Sequence, residues 1–358
     1  MKKIEFILKN LLLNLLLLIK GKSRVPAKDS FDENSKILFI RLNRIGDALI
    51  TTPLLHEIKK SLKCKIYVLA DAKNSVAFSN NRDIDELIIF RKGVKGFFDI
   101  LRLIKNEKID TVVDLHDDVS TTVSFLIALC NAQNKFGLEK ENKSVYTRTI
   151  PRLNSRIHHV VDRVAEILKL FNLQPDKPDL KLHYYLDNAS IEKAGNFISG
   201  KFKQNKFLLG INISAGSEAR FWGVENFRNL LDYLSKYDIN ILLLSSPGDS
   251  ESVIQIAGNK YNYFFSNEFG KFAAVISKLD LLFTPDTAVI HLVSAFGIPT
   301  FGIFVKYNTE DIIWSPYNTK FDCIVTKNSN LSSITVEQVL EGLKPFLEKQ
   351  LSEYNVVK

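Results

Sequence analysis

Residues 281–304 read Leu-Leu-Phe-Thr-Pro-Asp-Thr-Ala-Val-Ile-His-Leu-Val-Ser-Ala-Phe-Gly-Ile-Pro-Thr-Phe-Gly-Ile-Phe. Apolar residues at both ends predict two strands, and Gly297 followed by Pro299 is typical of the point where the intervening helix ends. Asp286 or Thr287 can cap this helix, because a side-chain oxygen there accepts backbone N–H groups of the first turn. Such a β-α-β unit indicates a parallel sheet.

The start of the predicted helix is a candidate binding site. A helix that begins at the carboxyl edge of a parallel sheet binds a phosphate or diphosphate readily. Thr287 and His291 are four residues apart and share one helix face. Alternatively, Asp286 is only a cap and His291 is a core histidine. The three residues together, directly after a strand, favour a binding site.

Composition indicates an ordinary globular protein. The 358 residues are 46% hydrophobic and 25% charged, which suits two domains. The formal net charge is +8, and six basic residues against one acidic residue give residues 1–24 a local charge of +5. The three cysteines are far apart, so we expect free thiols in a reducing compartment and no structural zinc.

The N-terminal segment is leucine-rich and flanked by lysines. Its apolar run, residues 6–19, is shorter than the ~20 residues of a spanning helix and lacks the cleavage site of a signal peptide. Residues 1–24 therefore predict a helix in the membrane interface, with lysines near anionic headgroups. The alternative is a helix docked on the protein itself or on a partner. Residues 20–35 predict a linker.

The segment Lys36–Leu62 predicts a buried strand, a turn and a helix. Gly46 permits a sharp turn between the strand and the helix. Pro53 fits a helix only in its first turn, so the regular helix is predicted from Thr52, with residues 46–51 as a looser lead-in.

Three polar residues of this segment form a second candidate site. Asp47, Arg41 and Arg44 are predicted at the carboxyl edge of the first strand, where α/β sheets bind ligands. A carboxylate there can take a proton from an attacking hydroxyl, and the arginines can hold phosphate or carboxylate. The alternative is a capping aspartate beside two solvated arginines.

The β/α alternation continues with strands predicted at 65–69, 87–90 and 111–115. His116-Asp117-Asp118 follows the last of these. No second ligand set accompanies it, so we predict no metal site and take His116 as a residue lining the acceptor site. The basic segment 139–156 could grip an anionic acceptor or be a solvated loop. A helix is predicted over 158–173.

Ser214, Gly216, Ser217 and Arg220 lie in the loop after the predicted strand 207–213. Hydroxyls, a close backbone approach at the glycine and a cation can together cradle a diphosphate. A single loop of this kind is weak support, but a second one at 284–291 strengthens it.

The next predicted strand, residues 239–244, ends near Asp249. This carboxylate could accept hydrogen bonds from a ribose or base, or the Pro-Gly-Asp sequence could simply form a turn. A late amphipathic helix is predicted over 336–344, broken or kinked by Pro345.

The chain as a whole predicts two β/α-alternating halves in series. We predict a membrane-associating helix and linker over residues 1–35 and an acceptor-binding Rossmann-like domain over 36–185. A donor-binding Rossmann-like domain is predicted over 186–330 and a C-terminal helix over 331–358. Two such domains facing across a cleft are typical of nucleotide-sugar enzymes. This pattern does not give the reaction.

Residues 37–55 resemble the N-terminal signature of the bacterial heptosyltransferase family, glycosyltransferase family nine. Residues 283–300 resemble its C-terminal signature, and 215–222 its middle one. The resemblance implies an α/β GT-B fold and inverting, metal-independent transfer without a cofactor. It also implies a nucleotide-sugar donor, ADP-heptose, and a glycolipid acceptor, the lipopolysaccharide core. The enzyme would be cytoplasmic and peripheral on the inner face of the inner membrane, with no nucleic-acid partner.

The resemblance also assigns roles. Asp47 matches the family's proposed catalytic base. Arg220 matches a basic residue, usually lysine, that meets the donor diphosphate, and Asp249 falls near the acidic residue that meets the nucleoside. The donor-binding motif matches Asp286, Thr287 and His291.

Two positions depart from the family pattern. Trp222-Gly223 stands where the family usually has Trp-Pro, and Ala288 where glycine is common. Ala288 places a methyl group where the donor approaches, which predicts a change of donor. Two other functions fit the same architecture, a nucleotide-sugar epimerase and a non-catalytic membrane-bound assembly partner.

Overall fold

The computed structural model describes residues 29–42, 44–174 and 180–357. The chain divides into two compact units, residues 1–180 and 181–358. The predictions for residues 1–24, and for most of the linker, lie outside the described residues, and the predicted domain limits stay predictions. No helix in the described part of the chain combines the length and apolar character needed to cross a bilayer.

The first unit is a six-stranded parallel sheet in the order β3-β2-β1-β4-β5-β6. Its strands are β1 (Lys36–Arg41), β2 (Lys65–Ala70), β3 (Glu86–Ile89), β4 (Thr111–Asp114), β5 (Asn134–Leu138) and β6 (Arg148–Ile150). Its helices are α1 (Ile45–Leu49), α2 (Thr52–Leu62), α3 (Val94–Asn106), α4 (Thr121–Leu129) and α5 (Val160–Ala165), the last continued by a 3-10 helix (Glu166–Phe171).

The second unit repeats this plan in the order β12-β11-β10-β7-β8-β9. Its strands are β7 (Leu208–Asn212), β8 (Asn240–Leu244), β9 (Asn262–Phe264), β10 (Leu281–Pro285), β11 (Thr300–Val305) and β12 (Phe321–Thr326). Its helices are α6 (Asn188–Lys201), α7 (Val224–Leu234), α8 (Ser250–Ala257), α9 (Phe269–Ile276), α10 (Val289–Phe296) and α11 (Val336–Val357).

The central strands form because they are continuous apolar runs. The side chains of Ile37–Ile40 and of Leu281–Phe283 are fully buried, as expected for parallel strands covered by helices on both faces. Gly297 has a positive φ of 69° and ends α10, as predicted. Cys64, Cys130 and Cys323 are free thiols, the first two buried.

Three local predictions differ from the structure in part. Gly46 lies inside the short helix α1 rather than in a turn, so residues 46–51 are not a loose lead-in, although α2 does begin at Thr52. The helix predicted over 158–173 is present, as a short α-helix that tightens into a 3-10 helix and ends at Phe171.

The third is the end of the last helix. α11 continues through Pro345 to Val357. Leu343 and Leu347 are fully buried on either side of the proline, and Gln350 is 5% exposed. This packing along the helix offsets the missing hydrogen bond and the ring clash that proline causes.

Candidate active site

One candidate site lies in the first unit, where its strand order reverses. β1 pairs with β2 on one side and β4 on the other, and Ile40 is level with Asp114. In open parallel sheets, ligands bind beyond the carboxyl ends of the strands at this reversal. Arg41 ends β1 and Asp114 ends β4, so this edge carries both charges.

Asp47 lies at this edge, in the first turn of α1. Arg41 Nη2 donates to its Oδ1 at 3.1 Å, and Arg41 Nε donates to its backbone oxygen at 2.9 Å. The backbone N–H of Arg44 donates to Oδ2 at 3.3 Å. The Asp47 side chain is 14% exposed. The carboxylate is therefore held in one orientation and still reaches solvent, as a general base requires.

Arg41 lies at the predicted end of the first strand, but its side chain is buried. It is 1% exposed, and its Nη1 donates to the backbone oxygen of Leu115. Burial lowers the pKa of the guanidinium, and the nearby Asp47 carboxylate opposes this effect. We therefore revise its predicted contact with the acceptor, since Arg41 holds Asp47 from inside the protein. Arg44 is exposed, and its contact with Asp47 is through the backbone N–H.

His116 is also inside the protein rather than on a site wall. It is 2% exposed. Its Nε2 accepts a hydrogen bond from the Leu42 N–H at 3.1 Å, and its Nδ1 lies 2.6 Å from Asp114 Oδ1. Both ring nitrogens of His116 are thus hydrogen-bonded within the protein. The predicted contact with the acceptor is therefore corrected to a structural role.

The basic segment 139–156 is not uniformly solvated. Lys140 is 4% exposed and pairs with Asp114. Arg148 forms an ion pair with Asp29, and Lys143 pairs with Glu139. Within residues 29–42, 44–174 and 180–357, no three His, Cys, Asp or Glu side chains group as metal ligands would.

A second candidate site lies at the corresponding reversal in the second unit, between β7 and β10. Asn212, the last residue of β7, is fully buried. Its Nδ2 donates to Thr284 Oγ1 at 2.9 Å and to Thr287 Oγ1 at 3.4 Å, while its Oδ1 accepts from the Ser214 N–H at 3.3 Å. One amide therefore ties together the two loops that were predicted to hold a diphosphate.

An ion pair joins the same two loops. Arg220 Nε lies 3.2 Å from Asp286 Oδ2, with the side chains 37% and 21% exposed. Asp286 is thus not the helix cap, since Ala288 occupies that position and Thr287 Oγ1 accepts from the Val289 N–H at 3.3 Å. The arginine is half-exposed and can turn toward an anionic ligand.

The remaining predicted donor residues surround this pair. Gly216 lies beside Arg220, because a Cβ built on it would be 3.8 Å from Arg220 Nη1. Ser217 is exposed, and Ala288 is half-buried at the start of α10. His291 is 4% exposed, with its ring centroid 6.0 Å from that of Trp314.

Ser214 and Asp249 belong to a short chain of hydrogen bonds at the ends of β7 and β8. Ser214 Oγ accepts from the Ser246 N–H at 2.6 Å, and Ser246 Oγ donates to Asp249 Oδ2 at 2.7 Å. Asp249 therefore stabilises its own turn, which is the alternative left open by the sequence. Asp249 itself is half-buried.

Sequence reasoning missed Asn212, Asp114, Lys140 and Tyr146. Tyr146 donates to Asp114 Oδ2 at 2.6 Å. Asn212 and Asp114 did carry a signal, because each is a polar residue in the last position of an apolar strand, where burial requires hydrogen-bond partners. Lys140 and Tyr146 lie in the basic segment, and only tertiary packing shows that Lys140 is buried and Tyr146 half-buried.

Comparisons with known proteins identify relatives for both units. The sequence model of glycosyltransferase family 9 (heptosyltransferase) matches residues 98–344. The lipopolysaccharide core heptosyltransferase OpsX of Haemophilus influenzae is 21% identical over 298 residues, which cover 80% of this chain and 84% of that protein.

Solved structures show the same fold. A family 9 glycosyl transferase from Veillonella parvula has a TM-score of 0.76 and 21% identity, covering 90% of this chain and 100% of its own. The E. coli heptosyltransferase WaaC with ADP has a TM-score of 0.65 and 18% identity, covering 89% and 99%. These likenesses confirm the predicted α/β GT-B fold class.

Proposed function

Because the chain belongs to glycosyltransferase family 9, the heptosyltransferase family, we propose that it transfers a heptose from ADP-heptose to a lipopolysaccharide-core-type acceptor. The observation that carries this proposal is the oriented, partly exposed Asp47 carboxylate at the strand-order reversal of the first unit. A carboxylate in that position suits proton abstraction from a hydroxyl.

In the proposed reaction Asp47 takes the proton of an acceptor hydroxyl. The oxygen then attacks the anomeric carbon from the face opposite to the diphosphate, so the C–O bond forms as the bond to the leaving ADP breaks, and the configuration inverts. Negative charge grows on the diphosphate. Arg220 and the backbone N–H groups at the start of α10 would stabilise it without a metal ion.

The proposed donor rests on the relatives and on the charges of the second unit. One relative was solved with ADP and also with ADP-2-deoxy-2-fluoro heptose. In this chain, Arg220 pairs with Asp286 at 3.2 Å. A diphosphate can replace that carboxylate as the partner of the guanidinium, because arginine binds phosphate with paired hydrogen bonds.

The proposed acceptor is an anionic glycolipid at the inner face of the inner membrane. Arg44 is exposed beside Asp47 and can meet a phosphate or carboxylate of the acceptor. The leucines and the +5 charge of residues 1–24 would favour an anionic membrane surface.

The function is tested with Asp47→Asn, and Asp99→Asn serves as the matched control because Asp99 is an exposed helix aspartate paired with Arg102. Melting temperatures are measured with ADP-, UDP-, GDP- and TDP-sugars, since a ligand that binds only the native state raises them. We expect ADP-heptose to stabilise both variants equally. Only Asp47→Asn should lose transfer to lipid A-core acceptor.

Three outcomes would contradict the proposal. Transfer at the wild-type rate by Asp47→Asn would remove the base assignment. An increase in melting temperature only with a donor other than ADP-heptose would contradict the proposed donor. A product in which the nucleotide sugar is epimerised without an acceptor would contradict the proposed transfer.

A further inference from the structure

A buried polar cluster lies behind Asp47 and has no role in the proposed chemistry. Its members are Asp114, His116, Lys140 and Tyr146. Asp114 accepts four hydrogen bonds, from the His116 N–H at 2.9 Å, His116 Nδ1 at 2.6 Å, Lys140 Nζ at 2.7 Å and Tyr146 OH at 2.6 Å. The side chains of Asp114 and Lys140 are both 0% exposed.

The charges in this cluster are balanced. Burial would raise the pKa of the Asp114 carboxyl, but the electrostatic attraction and hydrogen bonds of His116 and Lys140 outweigh it and lower that pKa well below its usual range. Asp114 is therefore ionised. A buried ion pair adds little stability compared with apolar residues of the same volume, so its presence calls for another explanation.

The cluster fixes the tautomer of His116. Its Nε2 accepts the Leu42 N–H at 3.1 Å and so carries no proton. The ring proton is therefore on Nδ1, which donates it to Asp114. A carboxylate that selects one tautomer also fixes the direction of the ring. The backbone directly after β1 is thereby held by an oriented imidazole.

The same segment holds Arg41 from a second direction. Lys140 Nζ also donates to the backbone oxygen of His116 at 2.8 Å, and the preceding carbonyl, that of Leu115, accepts from Arg41 Nη1. Arg41 in turn makes the two hydrogen bonds that orient Asp47. A continuous set of contacts thus runs from Lys140 to the proposed base.

We propose that Lys140 is a positioning residue for Asp47. It acts through Asp114 and His116 on the backbone at Leu42 and Leu115, and through Arg41 on the carboxylate. This inference rests on the proposed function, because it assumes that Asp47 is the base. Lys140 itself is buried, so the proposed role requires no contact between Lys140 and the substrate.

The test compares Lys140→Met with the matched control Lys143→Met, which removes an exposed lysine paired with Glu139 at 2.8 Å. Three quantities are measured: steady-state kcat, donor KM and amide hydrogen exchange at Leu42. We expect Lys140→Met to lower kcat about 10-fold or more, since small displacements of a reacting group have large effects on rate. Donor KM should stay unchanged, and exchange at Leu42 should accelerate.

A charge-balanced double variant, Asp114→Asn with Lys140→Met, completes the design. Removing one partner of a buried pair is strongly destabilising, whereas this variant leaves no unpaired charge, and the introduced asparagine keeps a side-chain oxygen that can accept the His116 proton. We expect a kcat between those of Lys140→Met and wild type. If Lys140→Met does not fold, the double variant alone tests the positioning role of Lys140. A reduced kcat and faster amide exchange at Leu42 are then expected.

Each remaining outcome overturns the inference. Lys140→Met with the kcat and exchange of the control would do so, as would a double variant with wild-type kcat and exchange. A double variant no more active than Lys140→Met would indicate direct substrate contact instead. The exchange measurement does not depend on activity, so faster exchange together with an active Asp47→Asn variant would refute the base and leave the positioning contacts intact.

Discussion

Gly223 is the position where a single methyl group gives the sharpest test of the structure. Its φ of 106° and ψ of 143° lie close to a region that essentially only glycine occupies. Gly223 directly precedes α7 and follows Trp222, whose Nε1 donates to the Ile334 carbonyl at 2.8 Å from a fully buried indole. The backbone here is therefore fixed between a buried anchor and a helix start.

The cost of Gly223→Ala is backbone strain alone. A Cβ at this position would have Asn226 Nδ2 as its nearest neighbour at 3.7 Å, an ordinary contact. A residue held in such a conformation costs about 1–3 kcal/mol. For a unit of this size each kcal/mol lowers the melting temperature by about 2–4 °C, so a decrease of roughly 2–12 °C is expected. Gly223→Pro should cost more, because proline fixes φ near −65°.

The assay uses the two tryptophans, Trp222 and Trp314, which both lie in the second unit. Denaturant unfolding followed by their fluorescence therefore reports on that unit. Gly195→Ala is the matched control, because this glycine is inside α6 with no atom within 4 Å of the added methyl. The control should gain up to about 1 kcal/mol. Equal stability of Gly223→Ala and wild type would refute the strained backbone.

Two further predictions concern charged groups, one in each unit. Arg220→Ala should raise the donor Kd about 10-fold or more, since hydrogen bonds between charged groups contribute roughly 1.5–3 kcal/mol, whereas Arg220→Lys should keep most of the affinity. Calorimetric titration with donor measures both. Equal affinity in wild type and both variants would exclude the arginine from the site. The lowered pKa of Asp114 stabilises the fold above the unfolded value of about 3.9, and this contribution should be lost as pH falls below about 4 toward the folded pKa. Circular dichroism during acid titration should show a shallower loss of stability for Asp114→Asn with Lys140→Met, and an unchanged slope would contradict it.

The sheets could be predicted because their signal is local. Apolar runs such as 36–40 and 281–283 read as buried strands, and the intervening amphipathic segments read as helices. Pro345 shows where local reading fails. Its cost is intrinsic to the residue, but Leu343 and Leu347 are held by the core of the second unit, and that packing could not be known from the segment.

The site residues show the same division between local and tertiary information. Placing Asp47 beside Arg41 needed only the knowledge that both follow β1. Whether Arg41 faces substrate or the interior depended on the Leu115 carbonyl, 74 residues away. His116 was placed correctly at a strand end, but its burial depended on Lys140 from another loop.

The two strand-order reversals use different chemistry for the same structural task. In the first unit the last residue of β4 is a carboxylate compensated by a buried lysine, and in the second the last residue of β7 is the neutral amide Asn212. Each of these two side chains accepts a backbone hydrogen bond from the loop that follows its strand. A buried carboxylate beneath a diphosphate would repel it, whereas an amide adds no charge. In the second unit Asn212 thus adds no negative charge beneath the proposed diphosphate, and the carboxylate that pairs with Arg220 is that of Asp286. In the first, the charge of Asp114 is already balanced by Lys140, and Asp47 is the partly exposed carboxylate that we propose as the base.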